Sequence, residues 1–253
     1  MKQTPWLRLT IILLASVLPM AAQARKTGTT RASISKAPEI GQSAVVIDDT
    51  LSVLREKPSL FSKVIQRMHC GRKLQILGVA EADGVRFYRV AAPPANFGWV
   101  QADAVFGRFR PNDEPRLAQL VQASSGFEQL EMANEFFHLY PDSKLRASLL
   151  LLFGDLAEDV ASKLTKDAAS KLKRGEMAAT GAPLHSYYLN FVSLDRYRKL
   201  GITYLFSPAD RSFHYDGASW DEILRQNPAS PEAEEAKKRL DNLKKKMEKV
   251  AQK

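Results

Sequence analysis

The histidines and the cysteine, which are common metal ligands and participants in nucleophilic catalysis, are few in this sequence: His69, Cys70, His138, His185 and His214. No two of the histidines have the spacing that places two ligands on one helix face, and a single cysteine completes no zinc motif. We therefore expect no metal site and no bound cofactor.

Cys70 is the one tempting nucleophile, because it is next to His69 and has basic neighbours at Arg67, Arg72 and Lys73 that would favour a thiolate. Adjacent residues of a strand point to opposite faces, however, so His69 and Cys70 are badly placed to share a proton. No serine lies in a G-x-S-x-G elbow, and no glycine-rich phosphate loop is present. We expect Cys70 to be a small buried hydrophobic residue and the protein not to be an enzyme.

Three carboxylates, Asp155, Glu158 and Asp159, share a predicted helix with Lys163 and Lys166. This mixture of charges is typical of a solvated, salt-bridged helix face. A reacting centre would require the fold to bring a carboxylate, in a cleft, within hydrogen-bond reach of one of three histidines: His138, His185 or His214.

The first 24 residues have the three parts of a secretory signal peptide. Lys2 and Arg8 supply positive charge, residues 9–20 are apolar, and Ala22-Gln23-Ala24 is a small-x-small cleavage site. This apolar run is shorter than the roughly 20 residues that a membrane-spanning helix needs. We predict a cleaved signal peptide over 1–24, a flexible basic leader over 25–42 and a periplasmic or secreted protein; an uncleaved N-terminal membrane helix is the alternative.

The chain has 253 residues and a formal charge of +9, which falls to +7 once Lys2 and Arg8 are removed. A positive field favours acidic surfaces such as phospholipid headgroups or an anionic wall polymer. We expect no nucleic acid partner, since an exported chain rarely meets one and no basic motif interleaved with aromatic residues is present. The C-terminal run Lys244-Lys245-Lys246 either lies on an anionic surface or forms the solvated side of a helix.

Residues 43–108 consist of short apolar segments separated by glycine and proline, which predicts the strands of a small β-barrel. Gly71 and Gly84 are placed in predicted tight turns, where a positive φ is needed. The predicted strand segments are Val45–Ile47, Leu51–Arg55, Lys63–Met68, Lys73–Leu77, Val85–Val90 and Phe97–Val100.

Five short blocks in this region resemble the bacterial Src-homology-3-type domain of exported, wall-associated proteins. They are Arg55–Ser59, Ser62–Ile65, Leu74–Gly78, Phe87–Val90 and Gly98–Val100. The resemblance implies a small β-barrel that binds peptide, often wall peptide, in a groove between loops. The candidate ligand-binding residues are Arg55, Tyr88, Phe97 and Trp99; the alternative for the aromatic ones is that they fill the core of so small a barrel.

Residues 113–253 change to a helical period with no strand signal. Helix, proline turn and helix recur around Pro141 and Pro228, and the stretch from Phe136 to Asp159 resembles the divergent tetratricopeptide-type repeats of exported envelope proteins. The fold prediction is thus a small barrel followed by an all-α tetratricopeptide-like repeat domain, with a plain helical bundle as the alternative. Ser230-Pro231-Glu232 begins a long last helix, whose apolar seam is Ala233, Ala236, Leu240, Leu243, Met247 and Val250.

These patterns predict a non-catalytic binding or scaffold protein of the bacterial envelope. The barrel would bind peptide, including cell-wall peptide, and the helical part would bind another envelope protein. The alternative is a cell-wall-remodelling hydrolase that uses the barrel as a targeting module. A homo-oligomer joined through the final helix is a third possibility, and the sequence leaves the oligomeric state open.

Overall fold

The computed structural model describes residues 37–94 and 96–248. The predicted signal peptide, the leader up to residue 36 and Val250 lie outside these residues. Within the described ranges, no helix combines the length and the apolar character needed to cross a membrane.

The first part of the chain forms one curled, antiparallel sheet in the strand order β3-β2-β6-β5-β4-β1-β7. Its strands are β1 (Ser43–Val46), β2 (Val53–Arg55), β3 (Val64–Arg67), β4 (Lys73–Ala82), β5 (Val85–Ala92), β6 (Asn96–Gln101) and β7 (Val105–Phe106). Gly84 takes the predicted positive φ, 72°, in the β4–β5 turn.

The prediction of a small Src-homology-3-type barrel is wrong. The sheet is a half-barrel with β3 and β7 at its two edges, and no described residues pair these edges. Alternating apolar residues predict strands. Whether the sheet closes into a barrel depends on whether its two edge strands pair, and the alternation within single strands does not indicate this. The coarser order, a β part followed by a mainly helical part, is correct.

The two faces of the sheet have different neighbours. The inner face encloses its own apolar cluster, which includes Leu54, Ile76, Tyr88, Val90 and Val100. The outer face of β1 and the residues around β7 instead contribute Val45, Ile47 and Phe106 to the core of the helical part. The sheet and the helices therefore share one apolar core along β1.

Eight helices follow in the described part of the chain. They are α1 (Asp113–Ala123), α2 (Gly126–Leu139), α3 (Arg146–Lys171), α4 (Arg174–Thr180), α5 (Leu184–Leu189), α6 (Asp195–Arg198), α7 (Ala218–Gln226) and α8 (Pro231–Glu248). The long helix α3 contacts α2, α7 and α8. This central helix replaces the predicted stack of tetratricopeptide-like helix pairs.

The expectation of an all-α second part is also wrong, because a hairpin of β8 (Tyr204–Ser207) and β9 (Ser212–Tyr215) packs on α3. No strand was expected in residues 113–253, since their apolar pattern has a helical period. Phe213 is nevertheless buried, and the ring of Phe206 in β8 stacks on Tyr188 with centroids 4.3 Å apart. The ring of Tyr188 in α5 thus stabilises a hairpin whose two short strands carry aromatic residues on either side of the turn 208–211.

Helix α8 packs on α3 and α7. Ala233, Ala236 and Leu243 of the predicted seam are buried in the core of this chain. Lys246 forms an ion pair with Glu158, with Nζ 2.7 Å from Oε1, so one lysine of the C-terminal run fastens α8 to α3.

Candidate functional site

A row of residues crosses five strands on the outer face of the sheet. In an antiparallel sheet, residues that are directly paired across strands project to the same face. The pairs Val64–Arg55, Arg55–Trp99, Trp99–Arg89 and Arg89–Gly78 join β3, β2, β6, β5 and β4 in this way. We call these five residues the arginine–tryptophan row.

A second row lies beside the first on the same face. Ser43 pairs with Gln75, Gln75 with Ala91, and Ala91 with Phe97. Phe97 and Trp99 are two residues apart on β6, so the two rows are neighbours on one face. Together they form a continuous outer surface from the β3 edge to β1.

This outer surface carries large apolar side chains that are exposed to solvent. Phe97 is 59% exposed and Val64 51%. Trp99, which lies on the same face, is half-buried. Exposed apolar side chains that share one face of a sheet favour the binding of another molecule there.

The two arginines of the row carry charge that the described residues do not neutralise. Arg89 is exposed, and Arg55 is half-buried with Nη1 donating to the Ser62 carbonyl over 2.8 Å. Neither guanidinium forms an ion pair within residues 37–94 and 96–248. Gly78 has no side chain that would cover the flank of Arg89. The surface is therefore apolar and positive at once.

A cleft of about 750 Å³ lies where this outer surface meets α2. Ser43, Gln75 and Ala91 of the second row line it from the sheet, and Glu135 and His138 line it from α2. Burial raises the pKa of Glu135 above its ordinary value, while the positive charges of His138 and Lys73 oppose the rise. The cleft thus offers a partly desolvated carboxyl group beside an apolar and positive surface.

Three of the four residues proposed from the sequence as ligand-binding lie on the outer surface: Arg55, Phe97 and Trp99. The fourth, Tyr88, lies on the inner face, fully buried, with its ring edge-on to Phe109 and centroids 6.2 Å apart. Sequence reasoning missed Arg89. The signal for it was available, since Arg89 alternates with Tyr88 and Val90 and must project to the face opposite theirs.

Cys70 sits among carboxylates rather than cations. Burial and the nearby charges of Glu131, Glu135 and Asp49 raise the pKa of its thiol. His69 turns to Asp49 instead, with Nδ1 2.9 Å from Oδ2. The cationic neighbours in the sequence therefore do not activate this thiol.

A chain of three polar side chains joins the hairpin to α3, away from the outer surface. Ser212 Oγ is 2.9 Å from His214 Nε2, and His214 Nδ1 is 3.0 Å from Glu158 Oε1. The Tyr215 amide donates to Glu158 Oε2 over 2.8 Å. Although burial opposes it, hydrogen bonds from His214, Lys246 and the Tyr215 amide lower the pKa of Glu158 to about 2.

The sequence did not predict this cluster, because Glu158 lies more than fifty residues before His214 and no strand was predicted in residues 113–253. Glu158 also lines a cleft of about 580 Å³ between α3 and α8. His214 therefore lies within hydrogen-bond reach of a carboxylate that lines a cleft, although neither His214 nor Ser212 is among the residues that line it.

No protein-family model, no curated protein and no solved structure matches the chain. In the ranges 37–94 and 96–248, no three His, Cys, Asp or Glu side chains lie close enough together to hold a metal ion. The outer surface and the Ser212–His214–Glu158 cluster are thus the two features of the described residues that bear on function.

Proposed function

We propose that this chain is an exported binding protein of the bacterial envelope that holds an extended, carboxylate-bearing peptide, such as a cell-wall peptide, on the outer face of its sheet. The observation that carries the proposal is the arginine–tryptophan row, in which Arg55 and Arg89 flank Trp99 without ion-pair partners among the described residues. The N-terminal signal-peptide pattern supports export.

The chemistry of the row fits carboxylates. A guanidinium group donates two parallel hydrogen bonds to a carboxylate, and such charge-assisted bonds are about twice as strong as neutral ones. Trp99 and Phe97 add apolar contact for the rest of the ligand. A ligand that uses both features has carboxylates separated by apolar groups.

The dimensions fit an extended peptide. Neighbouring strands are about 4.8 Å apart, so the row from β3 to β4 spans roughly 19 Å. An extended chain rises about 3.3 Å per residue, and about six residues would cover the row. The cleft beside α2 lies past this end and would accept the next group of the ligand.

The affinity is expected to depend on salt. The row is exposed, and charges at an exposed surface are screened within a Debye length of about 10 Å at 0.1 M ionic strength. Salt should therefore weaken binding, while contact with Trp99 and Phe97 should keep part of it.

The test is fluorescence anisotropy with a labelled short peptide of alternating glutamate and leucine, together with sedimentation on purified cell wall. The double variant Arg55→Gln/Arg89→Gln is expected to lose at least about tenfold in affinity, since each charge-assisted bond contributes about 1.5–3 kcal/mol.

The matched control removes the same charge elsewhere. Lys199 and Lys237 are exposed, and neither forms an ion pair with a residue that the structure describes. Lys199→Gln/Lys237→Gln should bind like the unmodified chain. Equal binding by the two double variants, or no binding by the unmodified chain at low salt, would refute the proposal.

A further inference from the structure

We propose a second, separate site: Ser212 is an acyl-accepting nucleophile for carboxylic esters, with His214 as its general base and Glu158 as the carboxylate that orients the imidazole. This activity is independent of peptide binding at the outer surface.

The three side chains have the connectivity that serine acyl transfer requires. The nucleophile oxygen lies 2.9 Å from Nε2, and the other ring nitrogen lies 3.0 Å from a carboxylate oxygen. When Nδ1–H donates to Glu158, Nε2 is left as an acceptor for the Ser212 hydroxyl. Glu158 is held by the Tyr215 amide and by Lys246, so its position is fixed by groups that take no part in the reaction.

Burial is graded along the chain of three residues. His214 is 7% exposed and packed into the fold, whereas Ser212 is half-buried at the start of β9, next to the turn that joins β8 to β9. The base is thus shielded from water and the nucleophile is open to a reagent. This is the distribution expected of a site that reacts with an external molecule.

A purely structural role explains only part of this arrangement. The bonds from Tyr215 and Lys246 to Glu158 already fasten β9 and α8 to α3. The contact between Ser212 and His214 joins two residues of the same strand, so it fastens no element to another. Its geometric effect is to place a hydroxyl against a base.

The Ser212 hydroxyl has a second acceptor, because Oγ is 2.7 Å from Asp210 Oδ1. One proton serves both acceptors, and rotation about the Cβ–Oγ bond moves it from one to the other. Asp210 also lies 4.0 Å from Nε2, so carboxylates of Asp210 and Glu158 are both within 4 Å of the His214 ring.

The reaction balances without a cofactor. Ser212 Oγ forms a bond to the ester carbonyl carbon as its proton passes to Nε2, and Nε2–H then protonates the departing alcohol as the carbon–oxygen bond breaks. A water molecule then attacks the acyl-serine carbonyl carbon while Nε2 takes a proton from that water. The proton passes to Ser212 Oγ as the acyl–oxygen bond breaks. The products are a carboxylic acid and an alcohol.

The test treats the full chain with a fluorophosphonate probe and locates the adduct by intact and peptide mass spectrometry. We expect one adduct, on Ser212, that is absent in Ser212→Ala. General-base assistance contributes about 10²–10⁴-fold, so His214→Gln should label at least about 100-fold more slowly. Ser193→Ala is the matched control, because Ser193 is also half-buried beside a carboxylate, Asp167, at 3.3 Å, and it should label at the unmodified rate.

Hydrolysis of 4-nitrophenyl acetate by the unmodified chain and by Ser212→Ala is measured in parallel, since that change removes one oxygen atom and tests the site even where a histidine variant fails to fold. Loss of turnover in Ser212→Ala is the expected result. An unlabelled Ser212, labelling of Ser212 that is unchanged in folded His214→Gln, or equal turnover by the two proteins would each overturn the proposal.

Discussion

We predict that Glu158 makes the free energy of unfolding of this protein fall at acid pH. Despite the opposing effect of burial, hydrogen bonds from His214, Lys246 and the Tyr215 amide lower its pKa from an ordinary 4.5 to about 2. A carboxyl group with a depressed pKa in the folded state stabilises the protein above its unfolded-state pKa. That contribution is lost as the pH falls from about 4.5 towards 2, because the unfolded chain binds the proton first.

The size of the effect follows from the shift. One pKa unit corresponds to 1.36 kcal/mol, so the full contribution is about 3 kcal/mol, of which about 2 kcal/mol is lost by pH 3. Glu158→Gln has no proton to bind, so it lacks this contribution at every pH. The free energy of unfolding of the unmodified chain should therefore exceed that of the variant at neutral pH. This difference should be about 2 kcal/mol smaller at pH 3 than at neutral pH.

The assay is urea unfolding followed by circular dichroism at several pH values between neutral and about 3. Other carboxylates titrate in both proteins and cancel in the difference. Asp159→Asn is the matched control for loss of a carboxylate charge, since Asp159 is exposed on the same helix and forms no ion pair with a described residue. A difference between the unmodified chain and Glu158→Gln that stays constant with pH would refute the reasoning.

Two further predictions concern packing and reactivity. Gly154→Ala should destabilise the fold by more than about 2 kcal/mol in urea unfolding, because the new Cβ would meet the Trp220 indole nitrogen and lie 2.6 Å from Ser219 Oγ. Gly175→Ala, in open space on α4, should instead stabilise by about 0.5–1 kcal/mol, and equal effects of the two changes would contradict the packing argument. Cys70 should react with iodoacetamide far more slowly in the folded chain than in urea, since burial and three nearby carboxylates raise the pKa of its thiol; equal rates by mass spectrometry would show that the thiol is not protected.

Local patterns in the sequence were sufficient to predict the ends of helices that are set by nearby residues. The helix predicted before the proline turn at Pro141 corresponds to α2, which ends at Leu139. Ser230-Pro231 marks the start of α8, which begins at Pro231. Capping, proline and turn glycines act over a few residues, so they can be recognised without tertiary contacts.

Tertiary contacts decided what local patterns could not. The hairpin of β8 and β9 is held by Tyr188 of α5 and by polar groups of α3. The same contacts bring Glu158 to His214, a meeting that no spacing within a strand or helix can indicate.

The outer surface depends both on the alternation of side chains within each strand and on the order of the strands in the sheet. Alternation along β6 determines that Phe97 and Trp99 share a face, and alternation along β5 puts Arg89 on the face opposite Tyr88. Only the strand order β3-β2-β6-β5-β4 places Arg55 and Arg89 on either side of Trp99, because β2 and β6 are separated in sequence by three other strands. The sequence by itself thus determined the order of a β part before a helical part and the face of each side chain within its own strand. The tertiary structure alone decided which strands became neighbours, since pairing depends on contacts between segments far apart in the chain.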